Sequence, residues 1–309
     1  MIYRRYGRFN LECHQNSGSS ATRLLPRHYH PSMHEDATTV SRRLAQARVR
    51  LDPAEAEILL AHALGRPRSW LFAHGEATLD PAVDTHFGVL LERRVAGEPV
   101  AYLVGTRGFW TLDLLVSPAT LVPRPETELL VEQALARIPA QAHWQLADLG
   151  TGCGAIALAL ASERPQCRVV ATALSAEALA VACDNAARNR IDNVEFRQGS
   201  WLEPLQDDRF DLIVSNPPYV ADGDPHLAQG DLRFEPALAL SCGSDGLNAI
   251  RTLATGAPAR LRPGGWLLFE HGLTQGAVVR ALLMGAGCVD VATVPDLEGR
   301  ERVTLGRRP

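Results

Sequence analysis

The residues best suited to chemistry are Asn216-Pro217-Pro218-Tyr219, which join an amide, two prolines and an aromatic ring directly after the apolar run Phe210-Ser215. As structure alone they are a strand ending in a rigid diproline turn. As chemistry they suit a planar nitrogen, in an amide or an aromatic amine, whose lone pair is delocalised into a π-system and is therefore a poor nucleophile. The Asn216 side-chain carbonyl and the Pro217 main-chain carbonyl are two acceptors for the two N–H groups of such a nitrogen, able to hold it in line with an electrophilic methyl group. No strong general base is then required, and Tyr219 supplies a face against the planar group.

A second constellation is Asp148-Leu149-Gly150-Thr151-Gly152-Cys153-Gly154-Ala155, where a strand ends in a glycine-rich loop and a helix begins. Its alternate glycines remove Cβ atoms where a ligand would approach the backbone at the carboxyl ends of strands. Dinucleotide folds and ligand-free tight turns share such loops. Two details favour a methyl donor: the spacing is G-x-G-x-G rather than G-x-G-x-x-G, and the preceding acid, Asp148, suits a cationic amino-acid group better than a pyrophosphate. S-adenosyl-L-methionine is a donor of that kind.

These residues need a parallel sheet to present them. From Gln145 onward apolar runs alternate with helical segments, as in a sheet covered by helices on both faces. Strands are expected near Gln145-Leu149, Arg168-Thr172, Val194-Gln198, Phe210-Ser215, Gly265-Glu270, Cys288-Val294 and Arg302-Gly306. The last two are joined by a loop too short for a parallel crossover and should pair antiparallel at the sheet edge. Upstream, Asp52-Pro53 and Asp80-Pro81 read as helix starts and Gly65, Gly75 and Gly97 as helix stops, giving a small helical domain. The alternation around Phe109-Trp110, Leu112, Leu114 and Val116 predicts a β-hairpin. The expected domains are a disordered or overcalled extension at 1–32, a helical substrate-recognition domain at 33–101, a hairpin linker at 102–122 and a catalytic domain at 123–309.

Composition narrows the class. The 309 residues include 46% hydrophobic and 21% charged residues, as in an ordinary globular chain. A formal net charge of -4 lacks the basic footprint of a nucleic-acid binder. Six scattered cysteines form no CxxC pair, and His28, His30 and His34 have no acidic or thiol partners, so no metal is expected. No apolar run approaches the roughly 20 residues of a membrane helix. The expectation is a cytoplasmic monomer.

The same segments resemble the glutamine N5-methyltransferases that modify bacterial peptide-chain release factors, the HemK/PrmC family. The resemblance runs from about Asp36 to the C-terminus. It includes Gly97-Glu98-Pro99, Gly108-Phe109-Trp110, Pro123-Arg124-Pro125-Glu126-Thr127-Glu128, Asp148 to Ala155, Asn216 to Tyr219, Arg233-Phe234-Glu235-Pro236, Glu270-His271-Gly272 and Glu301-Arg302-Val303-Thr304. A related family that acts on a ribosomal protein usually carries Pro-Arg-Ser where this chain has Pro123-Arg124-Pro125.

The resemblance implies an α/β fold: a Rossmann-like class I methyltransferase with a seven-stranded sheet and an antiparallel edge strand, plus a small N-terminal helical domain. It implies S-adenosyl-L-methionine as donor, contacted by Asp148, Leu149, Gly150, Thr151, Gly152, Trp201 and Asn216, with Ala173 at the ribose. The substrate is the glutamine of the Gly-Gly-Gln loop of class 1 release factors, held by Asn216, Pro217, Pro218 and Tyr219, with Phe109 lining the pocket. Arg124, Glu126, Glu235 and His271 fit functional and structural roles equally. Two positions depart from the pattern: Ala173 stands where the family has a ribose-binding acid, and Ser200 where relatives often carry an acid near the adenine. Losing a hydrogen bond to a charged group, worth on the order of 1.5–3 kcal/mol, would weaken donor binding roughly tenfold to a hundredfold. Two other readings use the same residues: an adenine-N6 DNA methyltransferase, for which the chain has no basic stripe, and a weakened paralogue that binds release factors without turnover.

Overall fold

A computed structural model describes residues 38–309; the expected extension at 1–32 and the three neighbouring histidines lie outside the described residues. Five helices come first: α1 (Val40–Ala47), α2 (Pro53–Leu64), α3 (Arg68–Ala73), α4 (Pro81–Val95) and α5 (Val100–Val104). Asp52 and Asp80 accept hydrogen bonds from Ala54 N and Ala82 N at 2.8 Å, and Pro53 and Pro81 take the first helical position, where an N–H would have no partner. Val40, Leu59, Leu60, Phe87 and Leu90 close a core among these helices.

The hairpin β1 (Thr106–Phe109) and β2 (Leu112–Leu115) follows, then α6 (Glu128–Leu135). The rest alternates: β3 (Gln145–Leu149), α7 (Ala155–Glu163), β4 (Arg168–Ala173), α8 (Ala176–Asn189), β5 (Val194–Gln198), β6 (Phe210–Ser215), α9 (Asn248–Gly256), β7 (Leu261–Glu270), α10 (Gly276–Gly285), β8 (Val289–Pro295) and β9 (Glu301–Arg307). Thr38–Pro309 forms one compact unit.

The seven strands are ordered β5-β4-β3-β6-β7-β9-β8, with β3 to β7 parallel and β9 antiparallel to both its neighbours. The last two strands thus pair antiparallel at the sheet edge, with β8 outermost and β9 between β7 and β8. Burial explains this order. Val303 to Leu305 are sealed between neighbours, whereas β8 is largely open and carries Asp290. A tight loop joins the pair, with Asp296 accepting from Glu298 N and Arg300 N, both at 3.0 Å.

One face of the sheet packs against α6, α7 and the hairpin, the other against α9 and α10. Asn185 of α8, fully buried, accepts from Leu115 N (2.6 Å) and donates to Leu115 O (3.0 Å) and Cys153 O (2.9 Å), tying the hairpin to the glycine loop.

The loop itself is fixed from below. Gly150 N and Thr151 N both donate to Thr172 O of β4 at 2.9 Å. Asp148 is fully buried, and its Oδ2 accepts from Thr151 Oγ1 (2.6 Å) and from Ala157 N in the first turn of α7 (3.1 Å). Its Oδ1 has no partner. Burial pushes this carboxyl up to about 6, against the pull of its two hydrogen bonds.

A folded-state value above the unfolded one means that the folded protein holds this proton more tightly. The contribution of Asp148 to stability is then fullest below about pH 4 and is lost as pH rises to about 6. Asp148→Asn, with no proton to lose, should gain on the unsubstituted chain by up to about 3 kcal/mol between pH 4 and pH 7. Chemical denaturation across that range measures the difference, and a gap that stays constant with pH would refute the assignment.

Candidate active site

At the carboxyl ends of β3, β4 and β6, where the order of connection reverses, a cleft of ≈ 600 Å³ opens. Its wall includes Gly150, Thr151 and Gly152 of the loop, Ala173 at the end of β4, Trp201, Asn216 and Pro218. Gly150, Gly152 and Gly154 have φ of 80°, 57° and 87°, which residues with a Cβ rarely adopt. A Cβ on Gly150 would come within 2.9 Å of the Trp201 ring, whereas one on Gly152 would meet nothing within 4 Å. The indole thus closes over the loop, and the backbone at Gly152 stays open. Trp201 holds φ 48°, uncommon for an aromatic residue, and its carbonyl accepts from Thr172 Oγ1 at 3.1 Å.

Asn216 follows β6. Its Nδ2 donates to Thr127 Oγ1 at 3.2 Å. Thr127 is buried, and its hydroxyl in turn interacts with the carboxyl of Glu270 at the end of β7. Burial pushes Glu270 up from its ordinary value, opposed by Thr127, Arg302 and the Tyr219 hydroxyl. The bond from Asn216 Nδ2 to Thr127 sets the orientation of the Asn216 amide and leaves Oδ1 for a ligand. Among the described residues, neither Asn216 Oδ1 nor the Pro217 carbonyl accepts a hydrogen bond.

Several expected contacts lie elsewhere. Asp148 and Leu149 are fully buried behind the wall, because β3 directs Asp148 onto the start of α7 rather than into the cleft. Pro217 is buried too. Tyr219 turns its ring into the core on the α9 and α10 face and donates to Glu270 Oε1 at 3.2 Å. Burial, then Glu270, pushes its phenol well up, so it stays protonated. Phe109 is only 2% exposed and packs in the core with Leu114 and Val122, so it does not line the cleft. Its place at the end of β1 turns it inward, a facing that alternation alone left open.

Other residues prove structural. Buried Glu235 pairs with Arg124 and accepts from Val122 N at 3.2 Å, tying the cleft rim to the segment after the hairpin. Arg94 of α4 bonds Asp231 (2.8 Å) and Glu55 (2.9 Å), so the same rim is held by the N-terminal helices. His271 is fully buried between Gly272 O and Thr304 Oγ1 (2.8 Å). Thr127, in the turn that leads into α6, and Glu270, at the end of β7, enter the sequence reading only as parts of longer matches. Among the described residues that line the cleft, Glu177 is the only carboxylate and Arg124 the only cation.

Comparison with known proteins adds to this geometry. Residues 38–105 match the family described as PrmC N-terminal domain, and residues 125–233 the Methyltransferase small domain. The chain is 60% identical over 266 residues to a release factor glutamine methyltransferase of Xylella fastidiosa (strain Temecula1), covering 86% of this chain and 97% of that protein. A relative of the same name from Escherichia coli (strain K12) is 49% identical over 253 residues, covering 82% and 91%. A solved structure of the T. thermophilus 16S rRNA N2 G1207 methyltransferase, in complex with AdoMet and guanosine, superposes with a TM-score of 0.50 at 21% identity. It covers 66% of this chain and 50% of that one, a likeness of fold alone. With almost the full length of its relatives matched at such identity, the chain belongs to the release factor glutamine methyltransferase family.

Proposed function

We propose that the chain transfers a methyl group from S-adenosyl-L-methionine to the side-chain amide nitrogen of the glutamine in the Gly-Gly-Gln loop of class 1 peptide chain release factors. The carrying observation is the pair of unsatisfied acceptors, Asn216 Oδ1 and the Pro217 carbonyl, beside a glycine-floored cleft. A primary amide offers two N–H donors, and two fixed acceptors hold its nitrogen in one orientation.

The cleft fits the donor. Its volume lies in the range of small-molecule sites, its lining is mainly apolar, and the Trp201 ring offers a face for a purine above the loop that Gly150 opens. Asp148 Oδ1, buried and unpartnered behind Gly150 to Gly152, supplies negative potential on the side where a cationic amino-acid group would lie. The donor supplies, when bound, an electron-poor methyl carbon on a sulfonium.

The chain's own residues do the rest. Asn216 Oδ1 and the Pro217 carbonyl accept from the amide, and their dipoles stabilise the positive charge that grows on its nitrogen as the new C–N bond forms. Thr127 keeps the Asn216 amide from turning its donor end to the substrate. Tyr219 supports this arrangement from behind through Glu270. Among the described residues no histidine lines the cleft and Glu177 is its only carboxylate, so the nitrogen's proton leaves to solvent after transfer.

Incubation with methyl-labelled donor and a purified class 1 release factor should place label on the Gly-Gly-Gln glutamine; no label at saturating donor would reject the proposal. Asn216→Ala should lower kcat by about 10²–10³, the range for losing one preorganised polar group. Thr127→Val, close in shape, should lower kcat by roughly fivefold to tenfold while S-adenosylhomocysteine binds as before. An unchanged kcat for Thr127→Val would show that Asn216 needs no such anchor.

A further inference from the structure

The donor proposed above carries a ribose with two vicinal hydroxyls, which need acceptors inside a cleft that is mainly apolar. The end of β4 offers none: Ala173 is 6% exposed and contributes a methyl group to the wall. Leu174 next to it is apolar, and Ser200 is a neutral hydroxyl.

We infer that Glu177, in the first turn of α8, is the carboxylate that receives the ribose hydroxyls, one helical turn further along the chain than the strand end where Ala173 stands. The assignment rests on the donor reading of the cleft.

Three observations support it. Glu177 is the only carboxylate among the residues lining the cleft. Its side chain is also held. Ser175 caps α8 by accepting from Ala178 N at 3.0 Å, which leaves its hydroxyl proton free to donate to Glu177 Oε2 at 2.8 Å. That bond turns the exposed carboxylate toward Ser175, between the end of β4 and the start of α8. Finally, the one hydrogen bond it receives from another residue goes to Oε2. Hydrogen bonds from its own backbone N–H and from Ser175 hold the Glu177 carboxyl below its ordinary value, so it is an ionised acceptor at neutral pH.

Calorimetry on the full chain separates the two roles, using S-adenosylhomocysteine and its 2′,3′-dideoxy analogue as probes. The unsubstituted chain should bind S-adenosylhomocysteine more tightly than the dideoxy analogue. Glu177→Ala should lose about tenfold in affinity for the first and bind the second as the unsubstituted chain does. Equal affinity of both proteins for S-adenosylhomocysteine would overturn the assignment, and so would an equal loss for both ligands, which marks a structural effect. If the unsubstituted chain binds neither probe, the donor reading itself fails and the assignment falls with it.

Discussion

A carboxylate shut away from water must find donors within the protein, and Asp148 finds them in the Thr151 hydroxyl and the first turn of α7. That requirement shapes the surrounding turn. The loop from Gly150 to Gly154 leaves backbone open at its glycines, and the one loop side chain that anchors it, Thr151, points down to Asp148. It is held from beneath by Asp148 and from the side by Thr172, whose carbonyl takes both Gly150 N and Thr151 N. Trp201, laid over the glycine that leaves room for it, closes the other side.

The substrate side is built on the same plan, with a buried acid one step removed from the residue that would meet the ligand. Tyr219 donates to Glu270, and Asn216 donates to Thr127 beside it. Both acids have an oxygen with no hydrogen-bond partner, Asp148 Oδ1 and Glu270 Oε2. Each is costly in isolation. Together they place an unpartnered carboxyl oxygen behind each side of the cleft. The rim is tied separately: Arg124 with Glu235 from the catalytic side and Arg94 with Asp231 from the helical side brace the segment after the tetrapeptide.

Much of this was legible from the sequence because its signals are local. Apolar runs ending in turn residues placed the strands at Gln145, Val194 and Phe210, and Asp-Pro steps placed α2 and α4. The glycine loop and the tetrapeptide announced a cleft at strand ends. What spacing could not convey was the direction in which a side chain points. Tyr219 and Phe109 both turn into the core, Asp148 turns under the loop, and Pro217 is buried. Thr127 and Glu177 escaped notice because each acts through a partner far away in sequence or through a cavity wall, and neither leaves a periodic trace.

The placement of β9 bears on how the molecule assembles. β8 is synthesised before β9, yet β9 is the strand that pairs with β7. If β8 were to settle against β7 in the order of synthesis, it would occupy the slot of its successor, with an open, charge-bearing face buried where Val303 and Leu305 belong. The Asp296–Arg300 turn offers a way past this trap, since it lets the two strands zip into a hairpin first and dock as a pair. The tightness of that surface turn, far from any chemistry, would then govern how fast the catalytic sheet closes.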